Sequence, residues 1–234
     1  MRTLPKPTLT SSNSYSTCIS RISDPALKAR LSLVKDNLET ASNDYDSKAS
    51  VQELYQISTH SNVGGQVTQK EMKKLYENQL VPKKSPGRHI YDALRNSTDT
   101  CPFCGQLAVY TLDHYLPKKL YPSFSVNPLN LVPCCRDCNT NKLSDDPSAA
   151  GDQVLHPYYD DLITEQWLCA RILPTTPASA EFYVSAPSHW EADKKARVKT
   201  HFDSFKLDVL YKSQVSTQIT GMRYGLTNIF NKCG

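Results

Sequence analysis

The chain has 234 residues, 27 Lys and Arg against 23 Asp and Glu, and a formal net charge of +4. That length can bury a sizeable core, but the charge excess is too small to mark a nucleic-acid-binding protein by bulk electrostatics. No apolar run reaches bilayer-spanning length and none reads as a signal-peptide core; with eight cysteines in a metal-like pattern, this predicts a cytoplasmic protein in a reducing compartment, with no membrane contact.

Residues 1–20 are rich in Ser, Thr and Pro and predict an extended arm, suited to docking on a partner. Residues 21–97 predict a helical region. Asp24-Pro25 supplies a cap and a first-turn proline, and Leu27, Leu31, Val34 and Leu38 follow at helical spacing. A second helix is expected through Val51, Leu54 and Tyr55, up to the break at Gly64-Gly65. Thr68-x-x-Glu71 is a capping-box pattern that opens a third helix with Met72, Leu75 and Tyr76 on one face. Pro86-Gly87 punctuates, and Ile90 with Leu94 marks a short helix beyond it. Positive charge gathers here: Lys70, Lys73, Lys74, Lys83, Lys84, Arg88 and Arg95 stand against three acids. A solvated helix face is the plain explanation of such a run; Lys83, Lys84 and Arg88, just ahead of the cysteines, are expected to contribute to a phosphate track.

Residues 98–150 carry the densest signal. Cys101-x-x-Cys104 and Cys135-x-x-Cys138 are two thiolate pairs that can close a tetrahedral zinc site, with Zn–S bonds of about 2.3 Å. Such a site has no open position and is structural. The 30 residues between the pairs exceed a simple zinc ribbon, so the metal ties two knuckles around an insert. Cys134 is an alternative ligand, but Cys135 repeats the two-residue spacing of the first knuckle. Within the insert, Leu107 to Leu116 reads as a strand arm that ends at Asp113-His114. Strand neighbours point to opposite faces, so a turn or bulge there is expected if both side chains are to serve one ligand. The stretch from Cys135, which lacks Gly and Pro up to Asp145-Asp146-Pro147, predicts a short helix.

Residues 151–234 predict a strand pair, Gln166 to Leu173 and Glu181 to Ala186, joined by the turn Pro174 to Pro177. Ser188-x-x-Glu191 reads as a second capping box, and Trp190, Val198, Phe202 and Phe205 supply apolar positions for the helix that follows. A final helix from Asp208 carries Leu210, Ile219, Met222, Leu226, Ile229 and Phe230. His156 in LHPYYDD reads as a packed structural residue, and no Gly-rich nucleotide loop is present. The fold class is therefore α+β, mainly α, with a zinc-stapled ββα unit between helical segments.

The pattern Asp113-His114, Asn130 and Asn139 between two CxxC pairs resembles the ββα-metal, or HNH, endonucleases. The resemblance implies His114 as general base, Asp113 as a ligand of a catalytic cation, Asn130 as the residue bracing the loop, and Asn139 as a second cation ligand in place of the family's final His. It also implies Lys142 as a basic residue near the phosphate, and Lys118 and Arg88 are expected beside it as further substrate-binding residues. Oxygen ligands of this kind suit Mg²⁺ or Mn²⁺, and a neutral His near pH 7 can take a proton from water. More loosely, the order of motifs along the chain resembles Septu-type PtuB defence nucleases, which implies an ABC/RecF-like, PtuA-like ATPase partner and DNA as the target. Two other readings stay open on the residues: a non-catalytic zinc module that positions a partner on nucleic acid, and an RNase toxin of the same architecture. Phosphate contacts do not separate DNA from RNA.

Overall fold

Caps decide where the amino-terminal helices begin. In the computed structural model, which describes all residues except 143–146, 176–178 and 234 and, in the last helix, the side chains at 220, 223, 224, 226–228 and 230–233, Thr10 accepts from the Asn13 N–H and opens α1 (Ser11–Ile19). The second half of the expected arm is thus helical. Thr10 serves as its cap, while Ser14, Tyr15, Cys18 and Ile19 are buried; the Ser14 hydroxyl donates to Val126 O at 2.8 Å and the Tyr15 hydroxyl to Leu31 O at 2.9 Å. Residues 1–10 hold no regular element, yet they lie on the protein's own body: the Arg2 N–H donates to Pro102 O and the Leu4 N–H to Pro157 O, each at 2.8 Å.

Asp24 accepts from the N–H groups of Ala26 and Leu27 and opens α2 (Pro25–Leu33). The apolar repeat then runs across a break at Val34 into α3 (Lys35–Ser50), where Leu38, Tyr45 and Ala49 are buried. The helix expected through Val51, Leu54 and Tyr55 does not form. Gln52 takes a positive φ of 60°, which no right-handed helix can continue; Val51 is exposed, and Leu54–Gln56 makes a single 3₁₀ turn. Gly64 and Gly65, with φ of 56° and 67°, form the turn of a hairpin, β1 (Asn62–Val63) with β2 (Val67–Thr68). The Thr68/Glu71 capping box is present and opens α4 (Gln69–Leu75). Arg30 grips Glu71 at 2.7 Å and holds its carboxyl at a pKa of about 2. From α4 the chain passes into a π-helical turn, Tyr76–Leu80, and then α5 (Arg88–Arg95).

Next come β3 (Thr111–His114), β4 (Leu131–Cys134) and α6 (Arg136–Asn141), with α6 against β3. The strands are antiparallel and pair continuously from Thr111↔Cys134 to His114↔Leu131, so the bulge expected at Asp113-His114 is absent. The Asp145-Asp146 part of the predicted helix boundary lies outside the described residues. Further on, β5 (Leu168–Leu173) pairs antiparallel with β6 (Ser179–Val184); part of the expected Pro174 to Pro177 turn falls outside the described residues. The chain then runs through α7 (Ala192–Ser204) and α8 (Leu207–Cys233). Ser188 and Glu191 form no capping box. Glu191 is itself the residue before the helix, and its side chain makes no capping bond. Along α8, Met222 and Ile229 are exposed rather than packed, while the side chains of Leu226 and Phe230 lie outside the described residues.

The described residues thus form a mainly helical α+β fold with small two-stranded sheets. One apolar cluster gathers α1 to α5 against one side of the β3/β4 hairpin through Leu112 and Leu131. The other surrounds the cysteine knuckles and takes in Tyr45, Phe124, Trp190, Phe202 and Phe205. Among the described residues no helix is long and apolar enough to cross a membrane.

A buried ion pair binds α7 to the rest. Arg197 donates to both carboxylate oxygens of Asp160, at 2.7 and 2.6 Å, and Asp160 also accepts the His156 N–H at 2.7 Å. Both charged side chains are under a tenth exposed. Changing Arg197 to Ala strands the carboxylate in the interior and is expected to cost about 3–5 kcal/mol in urea denaturation. Arg197→Lys should recover only part of this, since an ammonium cannot make the two-pronged contact.

Candidate functional site

The two CxxC segments build a metal cluster. The Sγ atoms of Cys101, Cys104, Cys135 and Cys138 all lie within 4.8 Å of one another, and all four residues are buried. Each knuckle is locally braced in the same way: the Leu107 N–H points at Cys104 Sγ (3.5 Å) and the Cys138 N–H at Cys135 Sγ (3.3 Å). Gly105 takes a φ of 68° to let the first knuckle turn, a conformation that a side chain disfavours. Hydrogen bonding with Cys101 lowers the pKa of the Cys104 thiol, and hydrogen bonding with Cys101 and Cys104 raises that of Cys138. A dication such as zinc would hold all four as thiolates. Cys134 lies outside the cluster, buried in β4, as the sequence spacing predicts.

Beside the hairpin a cleft of about 530 Å³ is lined by Asp113, His114, Asn139, Lys118 and Lys142 among others. Thus five predicted site residues meet. His114 is at the end of β3, and its Nε2 lies 2.9 Å from the Ser125 carbonyl. A carbonyl can only accept, so Nε2 carries the proton and Nδ1 is left with its lone pair. The ring packs edge-on against Tyr76, centroids 4.4 Å apart. Burial, reinforced by the charges of Lys118 and Lys142, lowers its pKa to about 3, so the ring is neutral at physiological pH.

Asn130 stands behind the cleft and ties the insert together. Its Oδ1 accepts from the Leu116 N–H (2.7 Å) and the Tyr45 hydroxyl (3.2 Å), and its Nδ2 donates to Leu116 O (3.0 Å) and Phe124 O (3.3 Å). The residue is fully buried, and every hydrogen-bonding capacity of its amide is used. Support continues outward. Tyr45 contacts His156 Nε2 at 3.0 Å, and His156 Nδ1 accepts from the Tyr158 N–H, so His156 is a neutral, buried structural residue.

Two predicted phosphate ligands are placed otherwise. Arg88 does not line the cleft: its guanidinium is committed to Asp92, through two bonds of 2.8 Å, and to Val81 O, because a helical i,i+4 acid is closer than any ligand could be. Lys142 lines the cleft, but its ammonium is bonded to the Asp113 carboxylate and to the carbonyls of His114 and Tyr115. Lys118 is the better placed base, with Nζ 5.2 Å from the Tyr76 ring and its pKa lowered by burial. Lys73, Tyr76, Glu77 and Lys119 also line the cleft although sequence reasoning gave them no role there. Lys73 had a signal, as part of the positive run over residues 70–95, and Lys119 had one as the neighbour of Lys118. Tyr76 and Glu77 reach the cleft from the π-helical turn, which leaves no periodic mark in the sequence; such turns are frequent at functional sites.

Against known proteins, the chain is 39% identical over 165 residues to Protein ea31 of Escherichia phage lambda. That alignment takes in 68% of this chain and 55% of the phage protein, so the chain spans about half the length of the curated relative it matches. No family model matches, and no solved structure does.

Proposed function

We propose that the cleft is the active site of an HNH-type endonuclease that hydrolyses DNA phosphodiester bonds, with structural zinc held by Cys101, Cys104, Cys135 and Cys138. The observation that carries this reading is the hydrogen bond of His114: its Nε2–H is fixed on the Ser125 carbonyl, which leaves Nδ1 as the ring's proton acceptor on a residue that lines a cleft together with Lys73, Lys118 and Lys119. In the reaction Nδ1 takes a proton from water, the water oxygen forms a bond to phosphorus, and the bond from phosphorus to the 3′ oxygen breaks, that oxygen leaving with the electron pair and taking a proton from solvent. Lys118 and its neighbours neutralise phosphate charge. Asn130 acts at one remove, by holding the loop that carries Ser125.

The family resemblance also implies a Mg²⁺ or Mn²⁺ ion on Asp113 and Asn139. As arranged, these residues do not present a ready cation site: Asn139 is exposed on the cleft wall and the Asp113 carboxylate is taken by Lys142. No step is therefore routed through that ion.

The test is incubation of the purified full chain with supercoiled plasmid, in Mg²⁺, in Mn²⁺ and in EDTA, with single-stranded RNA in parallel. Nicked and linear plasmid is the expected product. Plasmid binding without cleavage in any condition would favour the rival reading, a zinc module that positions a partner, and cleavage confined to RNA would favour the toxin reading.

A further inference from the structure

Lys142 caps the carboxyl-terminal end of α6, where its backbone N–H donates to Cys138 O at 3.0 Å. From there the side chain turns back into the cleft. Its three N–H donors go to Asp113 Oδ2, to His114 O at 2.8 Å and to Tyr115 O at 2.8 Å, which is all an ammonium has. The side chains of Lys142 and Asp113 are 9% and 10% exposed, and the Tyr115 ring lies 5.0 Å from Nζ. One carboxylate and two carbonyl oxygens therefore converge on a single point occupied by nitrogen. That set of hard oxygen donors is also what a small divalent cation takes. Asp113 cannot give the same oxygen to both.

We propose that Lys142 is the resident cation of this oxygen cage, and that a divalent ion reaches Asp113 only by displacing the ammonium. Lys142 thereby gates cation uptake by the cleft. The second knuckle sets the gate's position, since the Cys138 carbonyl anchors the Lys142 backbone. A phosphodiester entering the cleft would offer a displaced Lys142 ammonium another anion. The proposal rests on the nuclease reading, whose family resemblance implies a divalent ion, but its test involves no cleavage.

The test is Mn²⁺ binding to the zinc-loaded full chain without nucleic acid, with free Mn²⁺ read by electron paramagnetic resonance. Lys142→Met keeps an unbranched stem and removes the charge, leaving a buried carboxylate without its partner. It is expected to bind Mn²⁺ at least tenfold more tightly than wild type, whereas Lys142→Arg, which keeps the charge, gains nothing. Equal affinity in wild type and folded Lys142→Met overturns the proposal. Should Lys142→Met lose its zinc or its helix content, the wild-type chain carries the test through the ¹⁵N–¹H signal of the Lys142 ammonium. Three fixed acceptors should protect those protons from exchange until Mg²⁺ is added. No protected signal beforehand, or one that persists at saturating Mg²⁺, overturns it equally. The two readings fail separately: plasmid cleavage with unchanged Mn²⁺ affinity rejects the gate and keeps the nuclease, while tighter Mn²⁺ binding by a chain that cuts nothing does the reverse.

Discussion

His114→Ala is expected to reduce plasmid cleavage by about 10²-fold, the lower end of the contribution of a positioned general base, because burial holds the ring's pKa well below the working pH, while zinc content and helical signal stay at wild-type levels. The separation of these readouts follows from the geometry. Among the described residues the His114 side chain hydrogen-bonds to Ser125 O and its ring packs against Tyr76. Losing them leaves a small cavity and an unpaired carbonyl, which together cost about 2–4 kcal/mol and do not touch the cysteine cluster. His114→Gln distinguishes packing from proton transfer, because an amide can refill part of the volume and donate to Ser125 O but has no basic nitrogen. It should regain stability without regaining activity. Full cleavage by either variant, measured as the single-turnover rate on supercoiled plasmid, would remove His114 from the mechanism.

The parts of this site that could be read from the sequence are those set by short-range chemistry. A CxxC pair can bring two thiolates to one metal whatever surrounds it, so Cys101, Cys104, Cys135 and Cys138 could be named and Cys134 set aside. Capping works the same way: Asp24 and the Thr68/Glu71 box mark helix starts because donor and acceptor are three residues apart or fewer. Where the deciding partner is distant, reading fails. Ser188 and Glu191 have the right spacing for a box, yet the chain at Trp190 is fixed by burial of its ring and by the indole N–H donating to Glu165 at 2.6 Å. The Ser- and Thr-rich leader resembles a linker until Tyr15, Cys18 and Ile19 find a core to enter. Lys142 fails for the same reason. As a basic residue near the motif it suggests a phosphate ligand, and nothing within α6 reveals that Asp113, 29 residues earlier, occupies its ammonium. Charge in a sequence counts possible partners, and the fold decides which is closest.

Of all single substitutions, Cys104→Ser and Cys138→Ser should do the most damage to folding, because each removes a ligand from a cluster around which much of the carboxyl-terminal half is assembled. Metal affinity in four-ligand sites of this kind is folding free energy, about 10–16 kcal/mol for zinc at neutral pH, which matches or exceeds the entire net stability of an ordinary domain. The loss would spread. Beside Cys104, the Phe103 carbonyl accepts from His201 of α7 at 2.9 Å and the Cys104 carbonyl from the Tyr211 hydroxyl of α8 at 2.8 Å, and the Phe103 ring stacks on Phe205, centroids 4.7 Å apart. A knuckle that opens takes those acceptors and that ring with it, so α7 and α8 lose their seat together. On the cleft side, the Cys138 carbonyl holds the Lys142 backbone, so the same change also disturbs the pairing at Asp113. Cys134→Ala is the matching control. It sits in β4, buried and outside the cluster, and should cost about 1 kcal/mol with one equivalent of zinc retained per chain. Elemental analysis of purified protein together with thermal melts separates the cases. The ligand variants should be zinc-poor and unfolded or aggregated, and Cys134→Ala should be zinc-replete with a melting temperature a few degrees lower. Zinc-free yet cooperatively folded Cys104→Ser would mean that the cluster is a bystander to the fold.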